Sequence, residues 1–180
     1  MSLYEDCSGP EVRLLELDNE LIELAAGWTA DPAHSPWLDF GEDVHSLTPL
    51  TLRAMCLRPV HCLRIFTAGD ETETPAGLVA FSNIAPESRT AMVWYVLGDK
   101  RFARQGLTSR AVGALLAHGF GELGLESAWA WVATGNPASE RVLERHGFRR
   151  IGIQRRCHRL GDRTVDRTLF DLLQEEFASQ

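Results

Sequence analysis

The apolar stretch SAWAWVAT at 127–134 constrains the fold more than any other part of the sequence. Its mixture of small and large apolar side chains predicts a strand that is buried on both faces. Before it, residues 104–123 repeat apolar side chains with the 3.6-residue period of an amphipathic helix. After it, GNPASERVLERHGF at 135–148 predicts a short helix with Asn136 as N-cap and Pro137 as first helical residue. This order favours an α+β fold, a mixed sheet with helices on both faces.

Alternating and helical periodicities assign the remaining segments in the same way. They predict strands near 11–17, 60–68, 76–84 and 90–97, helices near 18–27 and 48–58, a loop over 29–47, and a closing hairpin of 148–160 and 163–173 around Gly161-Asp162. The three strands between 60 and 97 should form an antiparallel meander. Since no internal repeat or low-complexity linker interrupts this order, we expect a single domain over 1–180.

Composition narrows the class of protein. The chain has 180 residues, of which 44% are hydrophobic, and this suits one globular domain. Its four cysteines form no CxxC pair and no metal-like cluster with histidine, so we expect no metal site and a reducing, cytoplasmic location. No apolar run approaches the about 18 to 20 residues of a membrane span, so we expect no membrane partner.

Charge is distributed unevenly within a net charge of −7. Residues 1–100 contain 16 Asp and Glu against 6 Lys and Arg, whereas residues 101–180 contain 12 Arg against 9 acidic residues. Such a division can place an anion at one end of a cleft and a cation at the other, although arginines on the outer faces of strands would give the same count. No segment has a zinc-finger or RNP-like signature, so no nucleic-acid partner is expected.

ARQGLTSR at 103–110 is a candidate phosphate-binding turn. It lies where a strand ends and a long helix begins, so the first N–H groups of the helix are unpaired and the helix dipole adds partial positive charge. A glycine in such a turn is also an ordinary structural feature. The chain has neither a Walker pattern nor GxGxxG, which disfavours nucleoside triphosphates and dinucleotides. The candidate phosphate ligands are Arg104, Gln105, Gly106, Leu107, Thr108 and Ser109.

Together, the phosphate turn and the helix at 135–148 resemble the GNAT superfamily of acyl-CoA-dependent N-acyltransferases, and within it the RimJ/RimL-type branch. The similarity covers residues 11–177 and is most specific over 94–170. In the C-terminal hairpin, Asp166 ahead of a Leu-Phe-x-Leu-Leu strand matches the branch as well. The positions that fit the branch's run N-x-x-S-x-x-[VL]-L-[EK]-x-x-G-F are Asn136, Ser139, Val142, Leu143, Glu144, Gly147 and Phe148.

The resemblance implies a fold and a set of roles. The fold is a central mixed, mostly antiparallel sheet of about seven strands, flanked by helices and splayed between strands 4 and 5. Acetyl-CoA would be the cosubstrate, with its pantetheine arm between the splayed strands, and an amine would be the acceptor. A main-chain N–H near Val96 or Leu97 would polarise the thioester, Asn136 would bind the pantetheine amide, and Ser139 would donate a proton to the departing thiolate.

The chain departs from the superfamily pattern in two places. The phosphate turn usually reads [QR]-x-x-G-x-[GA], and here these positions are Ala103, Gly106 and Thr108, so only the central glycine is kept. Since main-chain N–H groups provide most of the grip, binding should survive. Many relatives have a tyrosine general acid where this chain has Leu143, which directs attention to Ser139.

The acceptor side is defined less sharply. In relatives the loop at 29–47 forms the acceptor wall, and the candidate substrate-binding residues there are Trp37 and Glu42, with Trp28 as a further candidate. We assign Trp129 and Trp131 to the core or to an interface. The sequence leaves the general base open among Asp39, Glu42, Asp43, His45, His61 and a water chain.

The expected function is therefore an acetyl-CoA-dependent N-acetyltransferase that acts on a primary amine, either a protein N-terminus or a small molecule. A catalytically weak CoA-binding regulatory module of the same fold is the alternative, because the phosphate turn is eroded and no base stands out. A ligand-free interaction domain is disfavoured by the presence of both motifs. A homodimer through the apolar strands or the terminal hairpin is a further expectation.

Overall fold

The computed structural model describes residues 11–41, 44 and 46–178. In these ranges seven strands form one sheet, and helices cover both of its faces. The strands are β1 (Leu14–Leu15), β2 (Cys62–Thr67), β3 (Pro75–Ala85), β4 (Thr90–Leu97), β5 (Ser127–Ala133), β6 (Arg149–Leu160) and β7 (Arg163–Leu173). The helices are α1 (Asn19–Ala30), α2 (Pro49–Cys56), α3 (Leu107–Gly121), α4 (Pro137–Arg145) and α5 (Gln174–Phe177), with 3₁₀ turns at Ser35–Trp37 and Lys100–Phe102.

The sheet is split between its fourth and fifth strands. Along the sheet the order is β1-β2-β3-β4-β5-β7-β6, and β2, β3 and β4 form the predicted antiparallel meander. β4 and β5 are parallel because the chain crosses between them through α3. Their pairing ends at Met92 and Trp129, after three residue pairs. The expected seven-stranded mixed sheet, splayed between strands 4 and 5, is confirmed.

Both faces of the central strands are buried, which explains their continuous apolar character. Successive side chains of a strand point to opposite faces. Val79 belongs to the core cluster that includes α3, whereas its neighbour Leu78 belongs to the cluster that includes α1 and α2. In the same way Tyr95 packs against the first cluster and Trp94 against the second. Beside the split, β4 therefore places one set of side chains on the face of the sheet that α3 covers and another set on the face that α1 and α2 cover.

Three predicted boundaries differ by three residues, at the end of α1, at the start of β1 and at the start of α3. The sequence analysis begins this helix at 104, but the helix begins at Leu107 because Arg104 and Gly106 have φ of 65° and 72°. A right-handed helix requires negative φ, so these residues form a separate turn. The first strand is shorter than predicted, since only Leu14 and Leu15 pair with β2. Within the described ranges, no helix is both long and apolar enough to span a membrane.

Candidate active site

Two cavities open along the split between β4 and β5. The basic cavity, of about 710 Å³, lies between the end of β4, the start of α3 and α4. The aromatic cavity, of about 500 Å³, lies beside α2 and between the separated parts of β4 and β5. We call the place where they meet the junction, and the residues that line both cavities are Trp37, Leu38, Tyr95, Asn136 and Ser139.

The basic cavity includes the N-terminal end of α3. Gly106 is the N-cap of this 15-residue helix, and no side chain caps it. The first N–H groups of α3 are therefore available to a ligand. The helix dipole adds partial positive charge at the same place. An uncapped helix start with a close-approaching glycine turn is the geometry that binds phosphate groups.

Cationic side chains strengthen this preference for an anion. Lys100, Arg104, Arg141 and Arg145 line the basic cavity, and none of its described lining residues is an acid. Three of these four cations come from the arginine-rich segment 101–180, so the sequence asymmetry is concentrated here. Summed charges of one sign in a cleft raise the local concentration of an oppositely charged ligand. The cavity therefore fits a ligand with several phosphate groups.

The predicted cofactor-binding residues do not all reach this cavity by their side chains. Gln105 is exposed, lies outside the lining, and donates to the carbonyl oxygen of Arg101 at 3.2 Å. The Ser109 side chain is buried, and its hydroxyl lies 3.1 Å from Nε2 of His146. Ser109 can therefore offer a ligand its main-chain N–H rather than its hydroxyl. The predicted residues that line the cavity are Val96, Leu97, Arg104, Gly106, Leu107, Thr108, Ser109 and Asn136.

Asn136 and Ser139 lie at the junction, at the first turn of α4. The Asn136 side-chain oxygen accepts a hydrogen bond from the Ser139 N–H at 3.2 Å, which confirms Asn136 as the N-cap. Because this oxygen is engaged by the helix, the amide NH₂ is the group that Asn136 can offer a ligand. Among the described residues the Ser139 hydroxyl has no hydrogen-bond partner. A free hydroxyl therefore lies where the two cavities meet.

Tyr95 completes the junction, although no sequence motif singles it out. Its hydroxyl donates to the main-chain carbonyl oxygen of Ser139 at 3.1 Å and so links β4 to α4 across the split. Burial raises the pKa of Tyr95 above its ordinary value, so the phenol stays protonated at neutral pH. The signal that could have found it is the alternation in β4, which places Tyr95 on the opposite face from Trp94.

Aromatic rings dominate the wall of the second cavity. Trp37, Phe40, Trp94 and Trp131 all line it, and Phe40 packs edge-on against Trp94 with ring centroids 5.4 Å apart. The assignment of Trp131 to the core is therefore wrong, since its half-buried ring lies on the cavity wall and in neither core cluster, whereas the interface alternative stays a prediction. Trp28 packs against the core cluster of α1 and α2 and lines neither cavity.

His61 lines the aromatic cavity just before β2. Its Nδ1 lies 3.0 Å from Oγ of Ser82, which also accepts a hydrogen bond from Nε1 of Trp94 at 2.9 Å. Burial, and then the positive charge of Arg58, lower the pKa of His61. The imidazole is therefore neutral near pH 7 and can accept a proton.

A cluster of two largely buried side chains, His158 and Arg167, fixes the only described carboxylate of the aromatic cavity, that of the exposed Asp39. Arg167 donates to this carboxylate and also, at 2.9 Å, to Nδ1 of His158. Since arginine only donates, the proton of His158 is on Nε2, which donates to the carbonyl oxygen of Pro36 at 2.8 Å. The Arg167 guanidinium also lies 3.8 Å from the centroid of the Trp131 ring.

This cluster changes the chemistry of Asp39. Burial alone would raise the pKa of Asp39, but hydrogen bonding and charge, chiefly from Arg167, hold it below its ordinary value. A carboxylate of low pKa that is already paired is a weak base. Of the other base candidates in this loop, Glu42, Asp43 and His45 lie outside the described residues.

The split sheet, the uncapped helix start and the junction together define the class of protein. The model of the family described as "Acetyltransferase (GNAT) domain" matches residues 12–149. The chain belongs to this family.

Particular relatives share part of the chain. An uncharacterized N-acetyltransferase of Bacillus licheniformis, p20, is 32% identical over 108 residues, which are 60% of each chain. The probable N-acetyltransferase YjcK of Bacillus subtilis is 38% identical over 93 residues, 51% of this chain and 50% of that one. The chain thus spans 50 to 60% of the length of these curated relatives.

Solved structures share the fold over nearly the whole chain. Spermidine N-acetyltransferase from Vibrio cholerae, in complex with CoA and spermine, has a TM-score of 0.81 at 16% identity and covers 93% of this chain and 98% of its own. A protein described as a probable acetyltransferase has a TM-score of 0.72 at 22% identity and covers 92% of this chain and 93% of its own. At these identities the likeness shows the fold alone.

Proposed function

We propose that the protein is an acetyl-CoA-dependent N-acetyltransferase that transfers an acetyl group to a primary amine by direct attack on the thioester. The observation that carries this proposal is the junction, where a cavity built for an anion and a cavity built for an apolar group meet at Ser139. A CoA-binding module without turnover would need only the first cavity. The second cavity therefore favours the enzyme over the regulatory alternative.

The basic cavity is the proposed cofactor site. The uncapped N–H groups of α3 and the side chains of Arg104, Arg141 and Arg145 would hold the phosphate groups. At the open end of β4, one main-chain N–H, that of Val96 or Leu97, would face the arm and the thioester, because successive N–H groups of a strand point to opposite sides. When bound, acetyl-CoA supplies the activated acetyl group.

Two residues of α4 are the proposed catalytic groups. Asn136 would donate its side-chain NH₂ to the cofactor arm, because its oxygen caps the helix. The Ser139 hydroxyl would donate a proton to the sulfur as the thiolate leaves. A thiol has a pKa of about 8.5, so this donation contributes less than positioning does.

We propose His61, acting through water, as the proton acceptor for the incoming amine. Among the described candidates it is neutral near pH 7 and lines the cavity, whereas Asp39 is paired with Arg167. Trp37, which lines both cavities, would contact the acceptor amine. Glu42 remains a sequence-based candidate for the same role.

Several finer expectations remain proposals. The Asn136–Ser139 run supports a RimJ/RimL-like relationship, and the single sheet supports one domain. The free thiols of Cys56, Cys62 and Cys157 support a reducing, cytoplasmic location. The spermidine N-acetyltransferase of Vibrio cholerae, which shares the fold, binds CoA and spermine and forms a dodecamer. Ile151 and Ile153 are 58% and 67% exposed on the edge strand β6, which supports assembly of this chain into a homodimer through its terminal hairpin.

The test is the release of CoA thiol from acetyl-CoA over a panel of primary amines, together with calorimetry of acetyl-CoA binding. We expect amine-dependent thiol release, and we expect Ser139→Ala to lower kcat by about tenfold while the Kd for acetyl-CoA changes less than about twofold. Ser88→Ala is the matched control, since Ser88 is exposed and lies outside both cavities. Binding without thiol release from any amine would support the regulatory module instead, and full activity of Ser139→Ala would remove its role as acid.

A further inference from the structure

The aromatic cavity has a chemistry of its own, which bears on the acceptor. Its described lining contains the aromatic rings of Trp37, Phe40, Trp94, Tyr95 and Trp131 around a volume of about 500 Å³. A pocket lined by apolar and aromatic side chains binds the apolar part of a ligand and uses few polar groups to orient it. This volume is enough for a ring or a short alkyl chain beside the reacting amine.

Within the described lining of this cavity, the acidic charge is already paired with a cation of the protein. Asp39 is the only acid among its described lining residues, and Arg167 donates to it. Arg167 is itself 12% exposed, and it is fixed further by His158 and by the Trp131 ring. The Asp39 carboxylate therefore does not act as an unpaired counter-ion for a second ammonium group of a ligand. An additional ammonium placed here would lose its water without gaining an opposite charge.

We infer that the acceptor is a primary monoamine carried on an apolar group of aromatic or short-alkyl size, and that Arg167 determines this specificity by neutralising Asp39. The inference rests on the proposed function, because only an acetyltransferase has an acceptor amine. The preference of the aromatic cavity for one amine over another can nevertheless be measured without turnover. It differs from what the polyamine substrates of the structural neighbours would suggest for this chain.

The decisive pair of probes is hexylamine and cadaverine, which differ only in that a terminal methyl group replaces an ammonium group. Calorimetry on the full chain saturated with CoA, which carries no acetyl group, measures binding without reaction. We expect hexylamine and phenethylamine to bind at least about tenfold more tightly than cadaverine, with spermidine weaker still, because each further ammonium must lose water without gaining an unpaired carboxylate. Equal or tighter binding of cadaverine or spermidine would overturn the inference, and so would the absence of binding by every monoamine. A phenylalanyl peptide amide in the same titration distinguishes a peptide N-terminus from a small amine as the source of the apolar group.

Variants test the part assigned to Arg167. Arg167→Gln leaves the Asp39 carboxylate unpaired, so cadaverine should bind about tenfold more tightly than to the wild type while hexylamine changes less. Asp39→Asn combined with Arg167→Gln should abolish that gain, because the unpaired carboxylate is gone. If cadaverine binding is the same in all three proteins, Arg167 does not set the preference. Should Arg167→Gln fail to fold by circular dichroism, the wild-type amine series decides the inference alone.

Failure of the inference and failure of the proposed function are distinguishable. If polyamines bind best and are acetylated, the enzyme stands and the acceptor class is wrong. If monoamines bind in the expected order but thiol release is absent, the acceptor class stands and the enzyme is wrong.

Discussion

Replacing Tyr95 by phenylalanine tests whether the link across the split matters for catalysis. The substitution removes one hydroxyl, whose hydrogen bond to the Ser139 carbonyl oxygen measures 3.1 Å. A neutral, partly buried hydrogen bond of this kind contributes about 0.5–1.5 kcal/mol. For a chain of 180 residues this corresponds to a decrease in Tm of about 2–4 °C for each kcal/mol.

The same bond holds the first turn of α4, and therefore Ser139, in place against β4. If the full contribution is lost in the transition state, kcat falls by about fivefold for each 1 kcal/mol. The Kd for acetyl-CoA should change little, since the phosphate-binding turn of α3 is untouched. Because burial raises the pKa of Tyr95, its hydroxyl does not titrate near neutrality, so the ratio of wild-type to variant kcat should be constant between about pH 6 and pH 9.

Thiol-release kinetics, calorimetry with acetyl-CoA and thermal unfolding measure these three quantities. Thr134→Val is the matched control, because Thr134 also donates a hydroxyl to a main-chain carbonyl, at 3.2 Å, but lies outside both cavities. The reasoning is refuted if Tyr95→Phe keeps the wild-type kcat and Tm. A ratio of kcat values that varies with pH would instead indicate that the phenol itself transfers a proton.

Three further predictions concern packing and pH. A Cβ on Gly98 would overlap the Trp28 indole, so Gly98→Ala should lower the free energy of unfolding in urea by about 1–3 kcal/mol. Gly152 has open space around it, so the control Gly152→Ala should change this free energy by less than about 0.5 kcal/mol. Equal losses in the two variants would contradict the prediction. Burial lowers the pKa of His158 below its ordinary value of 6.5, so below that pH the unfolded chain binds more protons than the folded chain. The free energy of unfolding, measured in urea, should therefore fall as the pH drops below 6.5, and His158→Gln should lose part of this dependence. The same pH dependence in the wild type and the variant would contradict this prediction. Because the pKa of His61 is lowered, His61 becomes protonated only below pH 6.5, and kcat should fall in that range. His61→Gln should lower kcat and make it less dependent on pH below 6.5. An unchanged fall of kcat in this variant would exclude His61 as the proton acceptor.

Local patterns predicted most of the fold because each element carries its own periodicity. The meander and the N-cap at Asn136 follow from apolar spacing and from short-range capping chemistry, whereas the splay between strands 4 and 5 was expected only from the family resemblance. The start of α3 did not follow, because left-handed φ at Arg104 depends on the turn as a whole and not on the preference of that residue.

The candidate site could be predicted only on the side where its residues are close in sequence. The phosphate turn and the Asn136–Ser139 pair each lie within a few positions. The aromatic cavity depends on contacts such as that between Asp39 and Arg167, which are 128 positions apart. No local pattern reports such a contact, so the sequence analysis left Asp39 among the candidate bases and assigned Trp131 to the core or to an interface.

The incomplete ladder between β4 and β5 also has a mechanical consequence. Three residue pairs join the four strands β1–β4 to the three strands β5–β7. Main-chain groups of β4 beyond Met92 that face the opening therefore have no hydrogen-bond partner in β5. Amide protons on these edges should exchange quickly with solvent. An extended ligand bound between β4 and β5 should slow this exchange and reduce the motion of the two parts of the sheet relative to each other. The hydrogen bonding of the sheet therefore becomes continuous between β4 and β5 only when a bound molecule takes the place of the absent strand pairs.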